Sequence, residues 1–308
     1  MSAAPRVTAL IPTLGTRPQL LRRALDSVWQ QQHVDVDVVI VRDGPGGTPF
    51  PADVESNPRV RIIDLPEHRG QRRALDAGVA VARAPWVAFL DDDDEWHHPR
   101  KLALQLEAAA ASPGPVIVSS RVVLDINGTQ RRVAPPRAWT PDIDLGEFAF
   151  CVDRHMNVGL VQQSTLLVPT PFLREHPLGN IDDPHPDIEL VLEAMAAGAA
   201  FIQLPEALST WHVDDHRQQV STSRSWRTTL AWCDDHRDLL TPHAYAGTLL
   251  TAGARCVDAR RAMPSIWRRA WRNGSPRPLD LIASLYLAYF PLRFRRRLGA
   301  ARADSKSR

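Results

Sequence analysis

The stretch "PWVAFLDDDDEWHHPRKL", Pro85 to Leu102, joins a short apolar run directly to four consecutive aspartates. An apolar run bounded by turn-forming residues is typical of a strand buried on both faces, as in a parallel sheet. Ligands of open α/β sheets bind outside the carboxyl ends of such strands. Carboxylates placed there repel one another unless a cation neutralises them, and Mg2+ or Mn2+ prefers oxygen ligands together with phosphates. The stretch predicts a metal and phosphate site, and a solvated acidic turn is the simpler alternative.

Strand-like and helix-like segments alternate on both sides of this stretch. Helical segments of 10–15 residues separate the early strands, which implies right-handed crossovers and a largely parallel sheet. The first helical segment places one apolar stripe on a single face, formed by Leu20, Leu21, Ala24, Leu25, Val28 and Trp29. The predicted strands are Arg6–Pro12, Val34–Val41, Arg59–Leu65, Pro85–Leu90, Pro115–Ser120, Gln163–Pro169, Ala200–Pro205 and Leu208–Val213.

The 308 residues, 44% of them hydrophobic, are enough for one α/β domain with an appendage or for two domains. The chain leads from Met1 almost directly into a strand, so we predict no secretory signal. The three cysteines, Cys151, Cys233 and Cys256, show no metal-binding spacing. They predict reduced thiols in the core of a cytoplasmic protein.

The charge is unevenly distributed along the chain. From Arg255 onwards there are fourteen basic and three acidic residues, whereas the remainder is acidic. The segment Pro278–Gly299 joins an apolar helical run, too short to span a bilayer, to a cluster of arginines. Two hypotheses stay open for it: a packed terminal helix, or a peripheral contact with the anionic inner face of a membrane. No recognised nucleic-acid-binding module accompanies it, so we predict no nucleic-acid partner.

Four stretches, in order, resemble the family-2 glycosyltransferases of the GT-A fold. They are "ALIPTLGTRPQLLRRALDSV" (9–28), "VVIVRDGPGG" (38–47), "HRGQRRALDAGVAVA" (68–82) and "VAFLDDDDEWHHPRKL" (87–102). The resemblance implies an α/β fold with a mostly parallel central sheet flanked by helices, and the helical pattern from Ser223 onwards predicts a C-terminal helical extension. The resemblance also implies an inverting, metal-dependent transfer of a sugar from a nucleotide diphosphate to an acceptor hydroxyl. We predict a transferase domain at 1–222 (1–120 nucleotide-binding half, 121–222 acceptor half) and a helical region with a basic tail at 223–308.

The resemblance also assigns candidate site residues. In the family pattern the first and third aspartates matter, so Asp93 is the predicted ligand of Mn2+ or Mg2+, with His212 as a further metal ligand. Asp92 occupies the variable position and is expected to be dispensable, and Asp94 is expected to support Asp93 or cap the next helix. The residues expected to bind the nucleotide sugar are Pro12, Thr13, Asp43, Gly70, Arg73 and Asp91.

An inverting transfer needs a base for the acceptor hydroxyl. In "HPDIELVLEA" the resemblance places Asp187 at the position of that base, with Asp183 as the alternative and a simple helix cap as the structural explanation. The chain departs from the family at Leu75-Asp76, where Arg-Asn is usual, and Arg72 or Arg73 is the expected substitute. Gln163 is expected either to satisfy the sheet or to bind a sugar hydroxyl.

The acceptor remains open among glycans, polysaccharides and glycosylated metabolites. Two alternative functions also stay open. A sugar-nucleotide-forming nucleotidyltransferase would share the architecture, but it would be expected to carry a Gly-rich basic signature where this chain has "PTLGTRPQ". A non-catalytic nucleotide-sugar-binding or scaffold protein would explain Leu75, whereas Asp91, Asp93 and Asp187 favour an enzyme.

Overall fold

A computed structural model describes residues 4–178, 184–214 and 224–290 of the chain. The strands in these ranges are β1 (Arg6–Thr13), β2 (Asp35–Arg42), β3 (Val60–Asp64), β4 (Trp86–Phe89), β5 (Val116–Ile126), β6 (Gln130–Ala134), β7 (Leu167–Pro169) and β8 (Ala200–Val213). The α-helices there are α1 (Pro18–Trp29), α2 (Ala52–Glu55), α3 (Gln71–Val81), α4 (Lys101–Ala110), α5 (Leu145–Phe150), α6 (Thr170–Glu175), α7 (Pro186–Ala196), α8 (Trp226–Asp235), α9 (Pro242–Thr251), α10 (Ala259–Asn273) and α11 (Pro278–Tyr289).

All eight strands belong to one mixed, mostly parallel sheet. Their order is β3-β2-β1-β4-β7-β5-β6, and β8 pairs in parallel with β5. The first four strands pair in parallel, whereas β7 runs antiparallel to both β4 and β5. The predicted α/β class with a mostly parallel sheet, flanking helices and later helices is confirmed.

The central position of β1 explains its unbroken apolar sequence. It lies between β2 and β4, with Leu10 beside Val39 and Phe89. Alternate residues of a strand point to opposite faces, and both faces of β1 are covered. Val7, Ala9 and Ile11 belong to the apolar cluster that contains the buried face of α1, whereas Leu10 packs closely against α3 at Gly78.

Helix α1 begins at Pro18, a residue whose fixed φ suits the first helical turn. Its buried apolar residues are Leu21, Ala24, Leu25 and Val28, as the predicted stripe requires. Trp29 lies at the end of that stripe but is 38% exposed, because the helix ends there.

The second half of the sheet departs from the predicted strands. The segment predicted as one strand from Gln163 to Pro169 is a 3-10 turn at Gln163–Thr165 followed by the short strand β7. The two strands predicted after Ala200 are one continuous strand, β8, which is irregular where it passes residues 204–207 beside β5. Strand β6 and helices α2, α5 and α6 were not predicted, because each is too short to show a clear period.

The described residues fall into two compact units. One lies within Met1–Thr140 and Val161–Val213, and the other lies within Pro141–Leu160 and Asp214–Arg308. We predicted one boundary, at residue 222. In the structure the second unit consists of two segments, because residues 141–160 group with the later helices. The functional assignment of the domains, including a nucleotide-binding half and an acceptor half, stays a prediction.

The second unit is helical in the residues described. Helix α9 lies at its centre and is buried from Ala244 to Thr251. Cys151, Cys233 and Cys256 are buried and unpaired, which agrees with the predicted core packing. Among the described helices, none combines the length and the hydropathy needed to cross a bilayer.

Gly44 and Gly46 provide a matched pair for testing the turn after β2. Their φ angles are +94° and +97°, so alanine costs about 1–2 kcal/mol of backbone strain at either position. A Cβ at Gly44 would lie 2.7 Å from the backbone nitrogen of His68, whereas a Cβ at Gly46 would meet no atom within 4 Å. We therefore expect Gly44→Ala to destabilise the protein by roughly 1–3 kcal/mol more than Gly46→Ala in urea unfolding. Equal losses would contradict the close approach of this turn to residue 68.

Candidate active site

The ends of β1 and β4 meet through Thr13 and the aspartates, because the two strands are parallel neighbours. The hydroxyl of Thr13 donates to Asp92 Oδ2 at 2.5 Å and accepts from the backbone N–H of Gly15 at 2.9 Å. Pro12 precedes it, buried within β1. Thr13 is thus placed at the predicted edge of the sheet, where its hydroxyl is already committed to the acidic stretch.

Asp43 follows β2 and organises the turn that leads into α3. Its Oδ1 accepts from the backbone N–H of Arg69 at 2.7 Å, and its Oδ2 accepts from that of Gly70 at 2.8 Å. The Asp43 carboxylate also lies 2.7 Å from His68 Nδ1. Gly70 has a φ of +84°, a conformation that favours glycine. Asp43 therefore positions the amino end of α3, and a direct contact of Asp43 or Gly70 with the nucleotide stays a prediction.

The two arginines expected to replace the family arginine differ in position. Arg72 is buried, and its Nη1 donates to the Leu178 carbonyl and to Glu189 Oε1, the latter at 3.2 Å. Arg73 is exposed on α3 and lies 3.8 Å from Asp76. The buried ion pair between Arg72 and Glu189 fixes α3 to the start of α7, so Arg72 does not provide a free cation for phosphates. Arg73 stays the predicted substitute.

The four aspartates occupy four different environments. Asp91 Oδ1 accepts from the side-chain amides of Gln71 and Gln163, each at 2.6 Å. Burial, and then the neighbouring Asp94, raise the pKa of Asp91 well above its ordinary value. Asp91 is therefore hydrogen-bonded by two neutral side-chain amides and lies close to other carboxylates.

Asp92 is only 2% exposed and forms an ion pair with Arg17 in addition to its bond from Thr13. Asp92 therefore has a structural role, because loss of this carboxylate would leave buried partners unpaired, and its expected dispensability for the metal and the donor stays a prediction. Arg17 also donates to Asp93 Oδ2 at 2.6 Å, and Arg23 donates to the Asp93 backbone carbonyl. Arg17 is a residue of this site that sequence reasoning missed; its position after the first strand gave the only signal.

Asp94 is 1% exposed and connects three parts of the chain. Its Oδ2 accepts from Gln162 at 2.8 Å and from the Ser164 hydroxyl at 2.7 Å, and its Oδ1 accepts from the His212 backbone N–H at 3.1 Å. Burial, and then repulsion by Asp93, raise the pKa of Asp94 to about 7. The expected supporting role of Asp94 thus takes the form of a structural tie between β4, the 3-10 turn and β8.

The residues that follow the aspartates pack against the 3-10 turn and within the first turns of α4. Trp96 is 1% exposed, and its indole N–H donates to the Ser164 carbonyl at 2.9 Å. The Lys101 ammonium lies 4.4 Å from the centre of the Trp96 ring and donates to Gln105 Oε1 at 2.7 Å. Burial lowers the pKa of Lys101 well below its ordinary value. These contacts give the Trp and Lys-Leu of the quoted stretch a packing role.

The donor set at Asp93 fits a hard divalent cation. The side chain of Asp93 is 26% exposed, its oxygen is the ligand type that Mg2+ and Mn2+ prefer, and the neighbouring carboxylates supply excess negative charge. In the described ranges, no three carboxylate, imidazole or thiolate ligand atoms that include Asp93 lie within 4.8 Å of one another. The chain would thus supply one or two ligands, and phosphate oxygens and water would supply the others.

His212 lies on β8 between two other carboxylates. Its Nε2 is 3.5 Å from Glu95 Oε1, and its Nδ1 is 3.7 Å from Asp125 Oδ2. His212 contacts the four aspartates through its backbone N–H, which donates to the Asp94 carboxylate. Its predicted role as a metal ligand stays a prediction, and the structure gives its imidazole two acidic neighbours instead.

Asp187 is half-buried in the first turn of α7, beside a small pocket. Its Oδ2 accepts from the backbone N–H of Gln163 at 3.1 Å. Burial raises the pKa of Asp187 to about 6, against the opposing effects of that hydrogen bond and of Arg72. The pocket is lined by Arg72, Leu75, Phe89, Gln163, Leu166, Leu178, Pro186, Asp187 and Leu190. The alternative base, Asp183, lies outside the described residues.

Gln163 joins the two ends of the site. Its backbone N–H donates to Asp187, while its side-chain amide donates to Asp91. We expected this residue to satisfy the sheet or to bind a sugar, and the structure instead places it in the 3-10 turn between the two carboxylates. No local sequence pattern indicates this bridge, because a lone glutamine is common on strands and turns.

Residues 8–156 match the model of Glycosyl transferase family 2. The chain carries a glycosyltransferase family 2 domain. This match confirms the predicted family over these residues, whereas the predicted glycosyltransferase activity of the whole protein stays a prediction. The four stretches quoted from the sequence all lie inside the matched residues, whereas Gln163, Asp187 and His212 lie beyond them.

Two relatives show how far the similarity extends around this family 2 domain. Over 130 residues the chain is 33% identical to the succinoglycan biosynthesis protein ExoO of Rhizobium meliloti, covering 42% of this chain and 37% of that protein. Over 253 residues it is 23% identical to the amylovoran biosynthesis glycosyltransferase AmsB of Erwinia amylovora, covering 77% of this chain and 82% of that protein. The chain thus spans little more than a third of the first relative and most of the second.

A solved structure shares the fold. The mannosyltransferase PcManGT from Pyrobaculum calidifontis, solved in complex with GDP-Man and Mn2+, is similar with a TM-score of 0.51 and 17% sequence identity. The likeness covers 94% of this chain and 71% of that one. At this identity it shows the fold alone, and it confirms the predicted GT-A-like architecture.

The raised pKa of Asp187 predicts a stability change that depends on pH. A carboxyl group whose pKa is higher in the folded protein destabilises the fold as it ionises; the effect is absent below the unfolded pKa near 4 and complete above about 6. We therefore expect Asp187→Asn to raise the free energy of unfolding by about 1–3 kcal/mol at pH 8, since one pKa unit corresponds to about 1.4 kcal/mol. The difference should disappear near pH 4. Urea unfolding at both pH values checks this, and an equal change at both would contradict it.

Proposed function

We propose that this protein is an inverting, metal-dependent glycosyltransferase that moves a sugar from a nucleoside diphosphate to an acceptor hydroxyl in polysaccharide biosynthesis. The family 2 domain and the similarity to a succinoglycan and an amylovoran biosynthesis protein support the reaction class and the pathway. The PcManGT complex with GDP-Man and Mn2+ supports a nucleotide-sugar donor and a divalent cation in a protein of this fold.

The observation that carries the proposal is the bridge through Gln163. One residue holds both the carboxylate expected at the donor, Asp91, and the carboxylate expected to act as base, Asp187. A transfer reaction needs donor and base at a fixed separation, and a bridge made by one side chain and its own backbone keeps that separation constant. A protein that only binds a nucleotide sugar has no such requirement.

The donor is proposed to bind at the edge of the sheet formed by the ends of β1, β2 and β4. Pro12, Thr13 and Asp43 lie there and would contact the nucleoside, and Asp91 would contact the ribose. The diphosphate would lie near Gly70 and Arg73, where the amino end of α3 provides a positive dipole. The turn that Asp43 holds in place sets the position of this helix end.

Asp187 is proposed to accept the proton of the acceptor hydroxyl. The oxygen then forms a bond to the anomeric carbon from the face opposite the nucleotide, while the bond to the diphosphate breaks and its electron pair stays on the diphosphate. One displacement inverts the anomeric configuration. The pKa of about 6 keeps Asp187 ionised at neutral pH and basic enough to take a proton.

Asp93 would hold Mn2+ or Mg2+, with Asp91 near it and the diphosphate supplying further oxygens. When bound, the ion neutralises negative charge on the leaving diphosphate. Arg17 already contacts Asp93 and would keep one of its oxygens oriented while the other faces the ion. Arg17 also pairs with Asp92, so its positive charge offsets the repulsion between Asp92 and Asp93.

The proposed base can be tested by substituting Asp187. We expect Asp187→Asn to leave the dissociation constant of the donor nearly unchanged and to lower the transfer rate by about 10²–10⁴. In the unsubstituted protein the rate should fall as the pH drops below about 6, because Asp187 becomes protonated. Titration calorimetry with nucleotide sugars and a pH–rate profile measure these effects. Proton NMR coupling constants report the product configuration, and retention would contradict the inverting mechanism.

The control for this substitution is Asp183→Asn, which should leave the rate nearly unchanged. If Asp183→Asn removes transfer and Asp187→Asn does not, the base has been assigned to the wrong residue. If the donor binds but no acceptor and no divalent cation support transfer or donor hydrolysis, the non-catalytic alternative is correct.

The proposed metal site can be tested with two neighbouring aspartates. Asp93→Asn should keep the fold and lose the increase in melting temperature that Mn2+ gives in the presence of a nucleoside diphosphate. Asp92→Asn should retain that increase but lower the free energy of unfolding by about 1–3 kcal/mol, because Asp92 is buried against Arg17 and Thr13. A thermal-shift panel with and without Mn2+ distinguishes the two. Loss of the Mn2+ effect in Asp92→Asn alone would assign the metal to that carboxylate.

A further inference from the structure

Helix α11 has one face fixed to the protein and one face exposed. Asp280 and Ser284 are buried; Asp280 Oδ1 accepts from the Val152 backbone N–H at 2.8 Å, and Ser284 Oγ accepts from the Trp267 indole at 3.0 Å. The opposite face carries large apolar side chains at spacings of three and four residues. This apolar stripe consists of Leu279, Ile282, Leu285, Tyr289 and Phe290, which are 39–58% exposed.

The neighbouring helix α10 exposes a row of arginines. The five arginines exposed along it, which we name the arginine row, are Arg260, Arg261, Arg268, Arg269 and Arg272. Trp271 lies among them and is 61% exposed. Helix α10 contains no acidic residue, and the one acidic residue of α11, Asp280, is fully buried. The two helices therefore expose cationic and apolar groups without a carboxylate.

The apolar stripe and the arginine row meet at Tyr289. The Tyr289 hydroxyl donates to the Arg260 backbone carbonyl at 3.2 Å, and the Arg260 guanidinium lies 5.5 Å from the centre of the Tyr289 ring. Tyrosine, tryptophan and arginine are side chains that lie with an apolar part in a bilayer and a polar part in its headgroup region. After Phe290 the sequence continues into "PLRFRRR", which adds four arginines whose structure is outside the described residues.

We propose that the surface formed by the apolar stripe of α11 and the arginine row of α10 docks on an anionic lipid bilayer, with the protein remaining peripheral. The inference goes beyond the proposed transfer reaction and does not depend on it. The apolar stripe enters the boundary between headgroups and acyl chains, and the arginines contact lipid phosphates. With twelve residues, α11 is too short to cross the bilayer. A second copy of the chain is a poorer occupant, because it would bring two arginine rows together.

The test is sedimentation of the full chain with vesicles. Vesicles of phosphatidylcholine with phosphatidylglycerol should sediment the protein, vesicles of phosphatidylcholine alone should not, and salt should weaken binding. Ile282→Asp with Leu285→Asp should reduce the vesicle affinity at least tenfold. Arg268→Gln with Arg269→Gln should reduce it by roughly 25-fold, about fivefold for each arginine.

The matched control is Val133→Asp, which changes a similarly exposed apolar side chain, 40% exposed, on β6. It should bind vesicles like the unchanged protein, and the thermal unfolding of all variants should remain within a few degrees of it. Absence of sedimentation with anionic vesicles, or equal binding by the Ile282 and Leu285 variant, would overturn the proposal. A dimer in light scattering that this variant abolishes, without vesicle binding, would instead assign the surface to a second copy.

Discussion

The hydrogen bonds and ion pairs around Asp91 to Asp94 hold four carboxyl groups at the end of a buried strand, and the arrangement of the site depends on them. Unit charges a few ångströms apart repel by several kcal/mol in the surroundings of a protein surface. Each carboxylate has its own partners in the structure. Two side-chain amides bind Asp91, and the Thr13 hydroxyl and the Arg17 guanidinium bind Asp92. Arg17 also pairs with Asp93, and three hydrogen-bond donors bind Asp94. The repulsion that remains is the physical reason to expect a cation there.

Those partners come from distant parts of the chain, so neutralising the charge also assembles the site. Arg17 and Thr13 tie the aspartates to the end of β1, and His212 ties them to β8 through its backbone. The 3-10 turn contributes most, because Ser164 binds Asp94 while Gln163 binds Asp91 and Asp187. A turn of three residues thus sets the distance between the carboxylates proposed for donor binding and for proton removal. Such rigidity is what preorganised catalysis requires.

The charge asymmetry of the chain has a structural counterpart within each unit. The acidic stretch lies in the unit built on the sheet, where buried donors hold it in place. The arginines of α10 lie in the helical unit and are exposed, and the described residues of α10 and α11 place no exposed carboxylate beside them. Hydropathy could not decide between the two hypotheses for the terminal segment, because α11 satisfies both. One face of α11 packs against the protein, as the packed-helix hypothesis requires, and the opposite face is the exposed apolar stripe, as the membrane hypothesis requires.

The sequence by itself determined the elements whose periodicity is long and regular. The strands up to β5, helices α1, α3 and α4 and the acidic end of β4 follow from apolar runs, turn residues and one-sided stripes, since burial of both sheet faces leaves a direct mark on composition. The resemblance of the sequence to family-2 glycosyltransferases also indicated Asp91, Asp93 and Asp187 as site residues. Only the tertiary structure decided that Asp92 is buried against Arg17, that Arg72 pairs with Glu189, and that Gln163 joins Asp91 to Asp187. Each of these contacts joins residues that are 24 to 117 positions apart in the sequence. No local pattern indicates such partners, because they meet only in the folded protein.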